Sequence, residues 1–421
     1  MCSGYPHPRR RAAAAATAAA LVAATAALLL PTATARAGHA PDTVTPTLPA
    51  PTGPHRLGTF DLHLVDGNRP DPWSQDGGPR EVMASVWYPA DPRASGPRTP
   101  YLPRGLASFY EQSVEAIGAP ADSVDFTGVR SHARTRVPAA PGAADLPVLL
   151  YSPGGGLSRM LGTTLVEELA SRGYVVVTVD HTFQAPVELP DGMEFPASDV
   201  DMTEALRERV RDMGFVLDAL TGLRAGDNPD TLGRPVPEGV AAALDLSRVG
   251  MFGHSMGGYA SAETMLTDPR VDAGVNMDGS MPPRHGQAAE TGVDRPFLLM
   301  GAGTSGDADL PHHHLDTPEW RTFWDRSTGW RRDLYMADGE HMSFTDYQVL
   351  LPQLADALEL ATGDQNEEEL LAGSIGTADP DSSLAAQRAY LTAFFDLHLR
   401  DGSGELFEGP SAEHPVVELI E

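Results

Sequence analysis

From Pro147 onward the chain repeats one rhythm: a short, continuous apolar run, then a stretch that suits a helix. The runs fall at 148–151, 174–179, 249–252, 273–277, 297–300 and 332–336. Strands that are apolar on successive residues, without polar alternation, are buried on both faces, and a parallel sheet covered by helices on either side buries them so. Ahead of these, 59–65 alternates and 82–87 is apolar, which predicts two antiparallel strands joined by a polar segment. Helices are expected near 105–117, 160–171, 199–223, 259–266, 347–360 and 384–399. The predicted fold class is α/β, one domain with a mostly parallel central sheet and helices on both faces.

The first 37 of the 421 residues have the order of a secretory signal: Arg9 to Arg11, an apolar run over 12–30, then Ala35-Arg36-Ala37 before Gly38. The run is rich in Ala and short for a membrane span. A secreted, extracellular product without a stable membrane anchor is expected. Residues 38–56, rich in Pro and Thr, read as a flexible leader, and 57–421 as the folded domain, with 91–145 and 182–198 as cap or lid insertions. The single cysteine, Cys2, lies in the signal, which excludes a disulfide framework, a thiol nucleophile and a thiolate metal site. Formal net charge is −28, and every basic residue is arginine. Such a charge repels nucleic acid and anionic membrane surfaces. A monomer is expected.

The most specific local signal is Gly253-His254-Ser255-Met256-Gly257. A G-x-S-x-G pentapeptide alone is weak, but here a strand ends before it and a helix starts after it. In that context the serine sits on a tight turn that thrusts its hydroxyl into the cleft, and glycines keep neighbouring Cβ atoms out of the way. Ser255 is the candidate nucleophile. The amide of Met256, at the helix N-terminus, is a candidate oxyanion donor. The second donor is assigned to the turn after 148–151, Gly154-Gly155-Gly156, with Gly155 the choice and Gly154 or Gly156 the alternatives.

A serine hydroxyl needs a base. His341 follows the last strand in Asp338-Gly339-Glu340-His341-Met342 and is the candidate, ahead of His181, His254, His285 and His312 to His314. The acid that orients it is either Asp278, directly at the end of 273–277, or Asp307 or Asp309, in the loop beyond 297–300.

These residues together resemble the platelet-activating factor acetylhydrolases of the plasma and type II branch, serine lipases and esterases of the α/β-hydrolase fold. The likeness rests on Leu150 to Gly156, Gly253 to Gly258, Met277-Asp278-Gly279 and His341 to Asp346. It implies Asp278 as the acid, because the family carries that residue on the loop after the strand following the elbow. It also implies calcium-independent release of short or oxidised acyl groups from phospholipids, or hydrolysis of simpler esters. Arginine in place of all lysine, with abundant Ala, Gly and Pro, fits a secreted actinomycete member. Pro153 stands where relatives carry a histidine, which changes the pocket and leaves a polyester or cutinase-like substrate as the alternative. A hydrolase-fold protein that only binds a ligand is the reading from outside enzymology.

Weaker signals complete the expectations. Phe183, Leu189 and Phe195 are assigned to an acyl pocket. His312-His313-His314 is not expected to bind metal, since consecutive side chains diverge. Arg207, Arg209 and Arg211 are expected on a solvated or ion-paired helix face, and Glu367-Glu368-Glu369 in a solvated loop. The expected substrate is an ester or lipid, with no cofactor.

Overall fold

The computed structural model describes residues 43–305, 309–361 and 365–421. The expected signal over 1–37 and the start of the leader lie outside the described residues. Eleven strands form one sheet: β1 (Leu57–Pro70), β2 (Pro79–Pro89), β3 (Arg98–Pro100), β4 (Arg130–Thr135), β5 (Leu146–Ser152), β6 (Val175–Val179), β7 (Leu244–His254), β8 (Val271–Met277), β9 (Phe297–Ala302), β10 (Arg331–Met336) and β11 (Glu418–Ile420). Their spatial order is β11-β10-β9-β8-β7-β5-β6-β2-β1-β4-β3. Every neighbouring pair from β6 to β10 is parallel, while β2 and β11 run antiparallel to the strands beside them. The mostly parallel α/β sheet is the one the apolar runs predict.

The runs are apolar because both sides of each strand are covered. In β5, Leu149 and Tyr151 enter one core cluster with α2 (Thr163–Ser171), α6 (Tyr347–Ala357) and α8 (Pro380–Leu399). Val148 and Leu150, pointing the other way, enter a second with α3 (Met202–Ala225), α4 (Met256–Thr267) and α5 (Pro318–Arg326). The remaining long helices are α1 (Arg104–Ser113) and α7 (Glu367–Ile375). From β5 the chain travels outward to β6 and then returns across β5 to form β7. The crevice beyond the carboxyl ends of β5 and β7 is thus a topological switch point, where open α/β sheets bind ligands.

Three expectations are corrected and a fourth gains detail. Residues 43–56 are not a free leader: Leu48 is buried, and Thr52 donates from its amide and hydroxyl to Glu168 at 2.6 and 2.7 Å. Arg388 also donates to the carbonyls of Ala50 and Pro49. The stretch 91–145 is not only a cap, because β3 and β4 extend the sheet edge. Within 182–198, a hairpin of Val187–Leu189 and Gly192–Glu194 packs on α1, whose first amides, Gly105 and Leu106, donate to Glu188 at 2.6 and 3.3 Å. Glu367 to Glu369 open α7 rather than a loop; Asn366 caps it reciprocally with Glu369, and acidic residues in a first turn complement the helix dipole.

Asp346 ties three parts of this frame together. Its buried carboxylate accepts from Tyr101 Oη at 2.9 Å, Thr163 N and Thr164 N at 3.0 Å, and Thr164 Oγ1 at 2.6 Å. It thereby caps α2 and pins the segment that carries His341. Asp346→Ala leaves these buried donors unpaired and is expected to lower stability by about 3 kcal/mol or more. Urea unfolding checks this; a loss under about 0.5 kcal/mol, the level of an ordinary surface change, contradicts it.

Candidate active site

β7 delivers Ser255 to the switch point and α4 leaves from it within one residue. Ser255 has φ 56° and ψ −123°, a left-handed conformation that few side chains adopt. The turn closes only because it carries glycine. A Cβ on Gly257 would lie 1.9 Å from the Ser152 carbonyl oxygen, and one on Gly253 would lie 2.4 Å from the Gly257 backbone. The Ser255 amide donates to Met277 O of the neighbouring β8 at 2.8 Å.

Ser255, His341 and Asp278 are brought into one hydrogen-bonded chain. His341 Nε2 lies 3.0 Å from Ser255 Oγ, and His341 Nδ1 lies 2.5 Å from Asp278 Oδ2. Ser255 is partly exposed, the His341 side chain is 36% exposed and Asp278 is buried. Burial would raise the Asp278 carboxyl, but the imidazoles of His312 and His341 hold it well below the usual carboxylate range. An ionised Asp278 accepts from His341 Nδ1–H, which leaves Nε2 bare to receive the serine proton. The other candidate acids stand elsewhere: Asp309 accepts from Thr304 Oγ1 in a separate short hairpin, and Asp307 lies outside the described residues.

The competing histidines have other partners. His254, buried and held down to about 3 by burial and by His341, donates from Nε2 to the His341 carbonyl at 2.9 Å. It braces the loop that carries His341. The run 312–314 diverges, as its adjacency predicts. His312 Nδ1 lies 2.7 Å from Asp278 Oδ1, His313 pairs with Asp316, and His314 Nδ1 lies 2.8 Å from Asp333. His312 is a neighbour of the site that sequence reasoning missed, and no local pattern distinguishes it from His313.

His181 takes part in a second Ser–His–Asp chain. Its Nε2 lies 2.9 Å from Ser152 Oγ and its Nδ1 2.9 Å from Asp212 Oδ2. The geometry matches that at Ser255, but Ser152, His181 and Asp212 are all buried. No substrate carbonyl reaches a fully buried hydroxyl, so this chain can only be architectural.

The glycine turn lies against the elbow. A Cβ on Gly154 would be 3.3 Å from Ser255 Cβ, and one on Gly155 3.6 Å from Met256 Cε. The Gly156 amide donates to Gln184 O at 3.0 Å, which removes it as an oxyanion donor. Met256 opens α4, where helix geometry leaves the first amides without intrahelical acceptors.

Arg209 departs from expectation. Arg207 and Arg211 are half-exposed and pair with Glu204 and Glu208, whereas Arg209 is fully buried against the glycine turn. The signal was present in the sequence: two residues along a helix turn through about 200°, so Arg209 cannot share a face with its neighbours. The acyl-pocket assignment covers Phe183, Leu189 and Phe195. Phe183 and Leu189 are partly buried, and Phe195 is 49% exposed with its ring 5.6 Å from that of Phe109. Two cavities of about 330 and 310 Å³ open beside residues 49–57, and the triad residues do not line them.

Known proteins resemble this chain over much of its length. The family described as platelet-activating factor acetylhydrolase, isoform II, matches residues 43–187. A protein of Arthroderma benhamiae named probable 1-alkyl-2-acetylglycerophosphocholine esterase is 28% identical over 398 residues, 89% of this chain and 94% of that protein. A bis(hydroxyethyl) terephthalate hydrolase of Streptomyces coelicolor is 29% identical over 152 residues, 33% of this chain and 44% of its own. The solved structure of a ferulic acid esterase from Streptomyces cinnamoneus is 36% identical, with a TM-score of 0.71, covering 89% of this chain and 99% of that one. With that extent of similarity on an α/β-hydrolase sheet, the chain belongs to the platelet-activating factor acetylhydrolase-like esterases and is a carboxylic ester hydrolase.

Proposed function

We propose that the chain is a secreted serine esterase that works through an acyl-enzyme on short-chain or phospholipid-type esters. The observation that carries this reading is the exposed end of the Ser255–His341–Asp278 chain at the switch point. Ser255 attacks the ester carbonyl while His341 Nε2 takes its proton, and Asp278 holds the tautomer and balances the imidazolium. The amides of Gly155 and Met256 receive the oxyanion. His341 then protonates the leaving alcohol, and water activated by the same nitrogen releases the acid. Secretion rests on the order of charge, apolar run and small residues over 1–37.

A second reading, esters of aromatic acids, is favoured by the 36% identity to a ferulic acid esterase over nearly all of that enzyme. Measured kcat/KM on the p-nitrophenyl esters of acetate, palmitate and ferulate, which share one leaving group, separates the two. The first reading expects acetate to lead; a clear lead for the ferulate establishes the second. Ser255→Ala is expected to lose about 10⁴-fold or more on every substrate, and to lose labelling by a fluorophosphonate that marks the wild type. Retained activity in that variant, or an unlabelled wild type, removes the serine mechanism.

Glu340 adds a pH dependence beside the site. Burial and then the Asp278 charge push its carboxyl up to about 7, while its side chain accepts from the Ser343 amide. A folded pKa above the unfolded value means that full stability holds below about 4.5 and is lost as pH rises through about 7. Glu340→Gln is therefore expected to melt at a temperature close to the wild type's at pH 4 and above it at pH 8, with the gap levelling off once Glu340 is charged. A gap that does not change with pH, read by thermal unfolding at both values, contradicts this.

A further inference from the structure

We propose that Arg209 is the positioning residue of the oxyanion turn, acting on Gly155 N–H through the peptide that joins Gly154 to Gly155. This deepens the serine-esterase reading and rests on it. Arg209 reaches from α3 under the sheet and grips three consecutive residues at the end of β5. One guanidinium nitrogen donates to the Pro153 carbonyl and, at 3.3 Å, to Ser152 Oγ. The other terminal nitrogen donates to the Gly154 carbonyl at 3.1 Å, and Nε donates to Gln184 Oε1 at 2.7 Å.

The consequence follows from peptide geometry. A trans peptide is planar, and its C=O and N–H point in opposite directions. With the Gly154 carbonyl held towards α3, the Gly155 N–H has to point away from Arg209. Gly154 and Gly155 lie against Ser255 Cβ and Met256 Cε on that elbow side. Triglycine alone would sample many orientations; the cation removes that freedom from outside the cleft. A charged donor on the carbonyl also polarises the amide, which makes its N–H a better donor in the same plane.

A second layer fixes the Ser152 hydroxyl that Arg209 also grips. Asp212, one turn further along α3, accepts from His181, and His181 completes the chain to Ser152 Oγ. Asp212 is itself paired with Arg80 and Arg69 at 2.7 and 2.6 Å. Burying an arginine costs several kcal/mol unless its donors are met, and here the met donors are those that set the turn. Lysine has the charge but lacks the planar fork that spans two carbonyls.

The test compares Arg209→Met, Arg209→Lys and the control Arg207→Met, a half-exposed position on the same helix, by kinetics on p-nitrophenyl acetate. Affinity for a trifluoromethyl ketone, which forms a tetrahedral adduct, is measured beside it. Arg209→Met is expected to lose about 100-fold in kcat/KM and about the same factor in ketone affinity, the scale of one lost oxyanion donor. Arg209→Lys is expected to lose about 10-fold, with Arg207→Met unchanged within twofold. If Arg209→Met does not fold, Gln184→Leu, which strips the acceptor that orients Nε, reads the same parallel loss at about fivefold. Equal ketone affinity in wild type and a folded variant overturns the proposal, as does a loss confined to KM. Fluorophosphonate labelling keeps the two readings apart. An unlabelled wild type defeats the serine mechanism, whereas wild type and Arg209→Met labelled at one rate defeat only the role of Arg209.

Discussion

The turn at Ser255 is the constraint on which the arrangement depends. β7 must end and α4 begin around a single residue at positive φ, a conformation that costs about 1–3 kcal/mol. It persists because the surroundings leave no alternative. On one side the Ser152 carbonyl touches Gly257; on the other, a Cβ on Gly279 would lie 2.1 Å from the Ser255 carbonyl oxygen. Asn276 closes the turn that follows β8 by exchanging hydrogen bonds with Gly279 N and O, both at 2.8 Å. Because His254 is paired with Met277 in the sheet register, the elbow and the Asp278 turn are locked side by side. The separation of hydroxyl and carboxylate is therefore set by the sheet, and His341 bridges a gap already fixed.

Much of this was legible in the sequence because it is local. Strand, turn and helix around Ser255 occupy consecutive residues, and their apolar pattern and glycines state their purpose directly. His341 and Asp278 each follow a strand end, so a reading of strands places both at the same edge. What escaped the sequence depends on partners far along the chain. Arg209 looks like part of a solvated charged face until the sheet is seen above it. Residues 43–56 look like a linker until Glu168 and Arg388, more than 100 residues away, supply their hydrogen bonds. Buried ion networks invert the usual rule that charge marks the surface, and composition cannot reveal the inversion.

Two Ser–His–Asp chains with nearly the same distances lie within one fold, and the difference between them is electrostatic as well as steric. Asp212 is already neutralised: Arg80 and Arg69 both grip it, and burial together with the Arg209 charge drives His181 down to about 3. An imidazolium at His181 would form next to guanidiniums, with no unspent negative charge to meet it. Asp278 accepts from two imidazoles and the Ala302 amide, and has no arginine salt bridge among the described residues. Its full charge is available when His341 takes a proton. By this argument a buried acid supports general-base chemistry only while its charge is hydrogen-bonded but uncompensated. The same side chain, once paired with fixed cations, becomes scaffold. In this fold the scaffold copy, through Ser152 and Arg209, holds the turn that faces the working one.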